Sequence, residues 1–122
     1  MSSNTFNILP APEILKKDVE CFRVFEYVGE EGLAIKVSPN ALPGIVFQHI
    51  NGQPAIENII TPAKCTSTPT SFLYGPGTQP SIMNYKRGSY TTMQVILKPY
   101  ALQTLLGINA SELANGHVDF LM

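Results

Sequence analysis

The side chains best suited to meet a ligand are Phe47, His49, Tyr74, Tyr85 and Tyr90. Each falls on a segment that reads as a β-strand. Aromatic walls with a few polar tips are what a small-molecule pocket between two sheets requires. The same residue types also fill ordinary cores, and His49 shares a predicted strand face with Ile45 and Phe47.

Catalytic chemistry is poorly provided for. A metal-binding barrel needs two or three histidines and a carboxylate converging inside. His49 and His117 are the only histidines and lie far apart, so no metal is expected. Ser71 and Ser81 lack the GxSxG context of an activated serine. Cys65 lies in a Thr/Ser/Pro loop with no base placed beside it. The run YGPGTQ (74–79) contains a GxG, yet no helix opens after it and Pro80 intervenes, so it reads as a turn and not a phosphate cradle. We therefore expect no catalytic residue, no cofactor and no enzymatic activity.

A chain of 122 residues is the size of one domain and can bury one core without disulfide staples. Its net charge of −1 gives it no attraction for a polyanion, so direct nucleic-acid binding by this chain is not expected. Cys21 and Cys65 form no CxxC pair and read as reduced, packed thiols. The opening MSSNTFNILPAPEIL has no charged leader or continuous apolar core, and no apolar run reaches the length of a membrane span. A cytoplasmic location and no membrane contact are expected.

Residues 1–11 read as a flexible N-terminal arm without structure of its own, and residues 12–122 as the domain. Pro12 opens one helical turn. VECFRVFEYV (19–28) is a strand by its β-branched and aromatic content. In LAIKVS (33–38), Leu33, Ile35 and Val37 alternate with Ala34, Lys36 and Ser38, which gives one buried face. IVFQHI (45–50) is the next strand. Asn51-Gly52 is a strong hairpin signal, because both central positions of such a turn need positive φ. AIENII (55–60) returns, beginning late because of Pro54. TPAKCTSTPT (61–70) is a loop by composition. SFLYG (71–75), SIMNYK (81–86) and SYTTMQVIL (89–97) complete about seven strands of an antiparallel sandwich or barrel. The period then becomes helical. Pro99 opens a helix holding Ala101, Leu102, Leu105 and Leu106, and Gly107 stops it. Asn109 with Glu112 resembles the capping box of a second short helix ended by Gly116. The apolar ending at Phe120, Leu121 and Met122 reads as a chain cut from a longer protein.

Three motifs occur in order: SPNALPGIVFQ (38–48), YGPGTQP (74–80) and VILKPYALQTLLGINASEL (95–113). Together they resemble the N-terminal cupin-like domain of AraC-type bacterial transcription regulators, over most of the chain. Pro39 and 41–47 fill the first motif, with Ala41 where the family often has glycine. Leu97, Pro99, Ala101, Leu105, Leu106, Gly107, Ala110, Glu112 and Leu113 fill the last, with Lys98 where an aromatic often stands. The resemblance implies a cupin-like β-sandwich followed by two short helices. It also implies an effector-sensing or dimerising domain, a homodimer, and DNA contact only through a helix-turn-helix domain absent from this chain. The alternatives are a stand-alone module binding a sugar or aromatic metabolite and, below it, a small cupin enzyme. For the YGPGTQP turn, Gly75 and Gly77 are expected to adopt positive φ, with no chemistry assigned.

Overall fold

The computed structural model describes residues 3–38 and 42–120, without the side chain of His49. The expected positions Pro39, Ala41, Leu121 and Met122 lie outside the described residues. The fold is mainly β, with two antiparallel sheets packed face to face and only short helical turns. The larger sheet has the order β1 (Ser3–Pro10), β2 (Val19–Gly29), β11 (Gly88–Leu97), β4 (Gly44–Phe47), β9 (Ser71–Tyr74) and β12 (His117–Asp119). The smaller holds β3 (Leu33–Val37), β10 (Ser81–Tyr85), β7 (Ile56–Ile60) and β8 (Cys65–Thr66). A two-stranded ribbon, β5 (His49–Ile50) and β6 (Gln53–Pro54), projects from the crossing between them.

Period-two alternation decides what each face of the larger sheet meets. Phe25, Tyr27, Val46 and Phe72 point inward and form one core with Ile56 and Tyr85 of the smaller sheet. Phe22, Ile45, Leu73 and Val95 point outward, where Ala101, Leu102, Ile108 and Leu113 cover them. This double cover explains why β2 carries apolar residues in both phases. The cover comes from helix α1 (Ala101–Leu106) and a 3-10 turn at Ala110–Leu113. Gly107 ends α1 at φ 68°, as expected of a left-handed cap. Asn109 caps the 3-10 turn by accepting from the Ser111 N–H and hydroxyl, so its partner is Ser111 and not Glu112.

The structure differs from the sequence reading at several points. The N-terminal arm is a strand: Ser3 to Pro10 pairs with Val28 to Cys21 along the free edge of β2. Its side chains all stay exposed, so burial gave it little apolar period to read; backbone pairing and the Phe6–Phe25 stack at 4.5 Å hold it. IVFQHI is broken at Gln48, which is fully buried. Its amide donates to Thr68 Oγ1 and the Pro69 carbonyl, and its carbonyl accepts the Ile56 N–H at 2.7 Å. The chain crosses there from the larger sheet to the smaller. Asn51 (φ 47°) and Gly52 (φ 82°) form the expected turn, but the strand beyond, β7, pairs with β10 and not with β4. Gly75 and Gly77 have no positive φ; Gly75 is required because a Cβ there would stand 2.3 Å from the Leu113 carbonyl oxygen. Asn115, at φ 59°, makes the turn assigned to Gly116. The segment after it returns as β12 against β9. Cys21 and Cys65 are free thiols, Cys65 exposed on β8 where a packed residue was expected.

Candidate functional site

The layer between the sheets is filled at one end and hollow at the other. At the filled end the chain changes sheet repeatedly, and a tyrosine clamps each of two corners. The Tyr27 hydroxyl donates to the Glu31 carbonyl and the Tyr90 hydroxyl to the Lys86 carbonyl, both at 2.6 Å. Tyr27 and Tyr90 face each other across β2 and β11, with ring centroids 5.7 Å apart. Burial and the neighbouring tyrosines raise the Tyr90 phenol above its ordinary range.

The hollow end holds a cavity of about 590 Å³. That lies inside the range of about 300–1,000 Å³ common for small-molecule sites. Phe72 and Tyr85 separate it from the filled end. Ile35, Ile59 and Met83 of the smaller sheet face Phe6, Ile8 and Arg23 of the larger. The mouth is bounded by Gly75, Gly77 and Gln79 of the 74–80 turn and by Asn115, Gly116 and His117. That turn is pinned: Asn115 Oδ1 accepts the Thr78 N–H, and its Nδ2 donates to Thr78 Oγ1, each at 2.7 Å.

The residues expected to line a pocket divide between the two ends. Tyr74 and Tyr85 line the cavity together. Burial pushes each phenol up to about 12. Tyr90 is a corner clamp at the other end. Phe47 points to the outer face, edge-on to Phe120 at 6.0 Å. The backbone of His49 pairs with Pro54, and its side chain lies outside the described residues.

The sequence reading passed over Arg23 and Gln94, and took the 74–80 turn as structure without chemistry. Arg23 had a legible signal. It occupies the phase of Phe25 and Tyr27 on β2, so it is a guanidinium on an inward face, directly opposite Gln94 of β11. Its Nε is buried without a hydrogen-bond partner. His117 stands beside Phe72, with centroids 5.1 Å apart, and its Nε2 is 3.3 Å from the Ser67 carbonyl. Burial lowers its pKa, partly opposed by that carbonyl, and Lys64 lowers it further.

Among the described residues no group of three His, Cys, Asp or Glu side chains could hold a metal, and no helix is long and apolar enough to cross a membrane. The arrangement can enclose a small molecule. Against known families, the model of a domain of unknown function, DUF6597, matches residues 7–119. No curated protein and no solved structure matches the chain.

Proposed function

The chain belongs to the DUF6597 family, and from that premise we propose that it is the effector-sensing domain of an AraC-type transcription regulator, acting in the cytoplasm as a homodimer. The single observation behind the sensing role is the cavity between the sheets, apolar along its walls and polar at a few tips. The regulator assignment is supported by the ordered motifs at 38–48, 74–80 and 95–113. A sensing domain needs a ligand that binds one arrangement better than another, so that occupancy shifts a population. A ligand touching Asn115 and His117 would contact the segment leading out of the domain, and there bias the attached DNA-binding unit. Exposed Tyr100, Leu105 and Leu106 support a contact between copies. In this reading the domain performs no catalysis.

The test is the reading frame beyond the Met122 codon. We expect a basic segment of two helix-turn-helix units, of about a hundred residues, and DNA binding by the full-length protein that changes when the cavity is occupied. A stop codon directly after Met122 would overturn the regulator role and leave a stand-alone binding module.

A further inference from the structure

We infer that the cavity takes a small organic acid, an amphiphile whose carboxylate is held by Arg23 and whose body is apolar or aromatic. The inference rests on reading the cavity as a ligand site and adds the chemical class of its occupant.

Charge is distributed one-sidedly around the cavity. Arg23, Lys36 and Lys64 line it, and among the described residues no Asp or Glu does. The lysines stand on exposed positions, whereas Arg23 is half-buried. Ion pairs of the described residues lie elsewhere, Lys16 with Glu13 and Lys98 with Glu20. Among the described residues no carboxylate pairs with Arg23. Its Nε is a buried donor without an acceptor, and leaving that donor unmatched costs free energy unless a ligand supplies an acceptor.

A second polar group lies beside the cavity. Gly44 lies opposite Tyr74 in the sheet, and a Cβ there would collide with the Tyr74 hydroxyl at 2.4 Å. The missing side chain therefore lets the Tyr74 ring lie across β4, and Arg23 is close enough to act on its phenol. Gln94 adds an amide directly across from Arg23. One planar guanidinium with a phenol and an amide suits a carboxylate, which a guanidinium binds through two parallel hydrogen bonds. A dianionic phosphate would call for further deep cations, and Lys36 and Lys64 stand only at exposed positions. Phe6, Ile8, Ile35, Ile59 and Met83 supply the apolar wall for the rest of the molecule.

The experiment titrates the 122-residue chain with two matched pairs of probes by calorimetry: 4-phenylbutyrate against 4-phenylbutyramide, and octanoate against octanamide. We expect at least one acid to bind about tenfold or more tighter than its amide, the size of a single charge-assisted contact. Arg23→Gln should abolish that preference, and Arg23→Lys should restore part of it. If amide and acid bind equally, the anion assignment falls while the cavity remains a ligand site. If no probe binds, the inference falls together with the reading of the cavity. An acid preference that survives Arg23→Gln overturns the role of Arg23 and moves the anion to the rim lysines. The comparison on the unsubstituted chain decides the first two outcomes even if the variant does not fold.

Discussion

The two ends of the inter-sheet layer are built from the same materials and treat polar groups in opposite ways. At the filled end several buried polar groups are matched by hydrogen bonds. Tyr27 and Tyr90 donate to the carbonyls of Glu31 and Lys86, and the Gln48 amide satisfies Thr68, Pro69 and Ile56 at once. At the hollow end the Arg23 Nε is buried and unmatched, and burial raises the Tyr74 phenol. Folding stability favours the first arrangement, because an unsatisfied buried donor costs about 1–3 kcal/mol. An unmatched cation beside a cavity is kept for a different reason, and sites of binding are where such local costs concentrate. The difference separates residues that hold the sandwich together from residues held by it.

The largest effect should come from breaking the matched end. Gln48→Leu keeps the volume and removes three hydrogen bonds, stranding the Ile56 N–H and the Pro69 carbonyl in a buried crossing. We expect a loss of about 3 kcal/mol in urea unfolding. A loss under about 1 kcal/mol would mean that the crossing is held by packing alone.

A smaller effect sharpens the contrast. Tyr27→Phe and Tyr90→Phe each remove one hydroxyl bond and should cost about 1 kcal/mol. Their rings touch, so the double variant need not lose the sum. Tyr74→Phe and Arg23→Leu, at the hollow end, should leave stability within about 0.5 kcal/mol or raise it. If Tyr74→Phe destabilised as much as Tyr90→Phe, the two ends would not differ in kind.

Much of this layout is legible in the sequence, for identifiable reasons. Alternation in LAIKVS reveals a strand with one inward face, and Asn51-Gly52 and Gly107 announce backbone conformations that few residues tolerate. Two of the five candidate pocket residues, Tyr74 and Tyr85, line the cavity. The remainder depends on pairings that local pattern does not encode. Tyr90 and Tyr74 look alike as strand tyrosines; only the register of β11 against β2, and of β9 against β4, puts one at a corner and the other over Gly44. Strand β1 was hidden because its side chains all stay exposed and its apolar alternation on the cavity face is only Phe6 and Ile8. Gln48 was hidden because a polar residue between Phe47 and His49 continues an alternating pattern, although it ends one strand.

The smallest expected effect is a pH dependence at the mouth of the hollow end. Burial and Lys64 lower the folded-state pKa of His117 below the ordinary 6.5, and the Ser67 carbonyl only partly offsets them. The unfolded chain therefore takes up a proton before the folded one does. Stability that His117 leaves intact at neutral pH is lost as the pH falls through about 6.5, and the loss is complete below the folded-state value. Among the described residues no acid lines the cavity, whose charged groups are Arg23, Lys36 and Lys64. Melting of the unsubstituted chain and of His117→Gln at about pH 7.5 and about pH 5 checks this. The unsubstituted chain should lose a few degrees more than the variant between the two, with carboxylates common to both cancelling in the difference. Parallel losses would mean that the imidazole is as well solvated when folded as when unfolded, and that the mouth of the cavity is more open than the contact with Phe72 makes it.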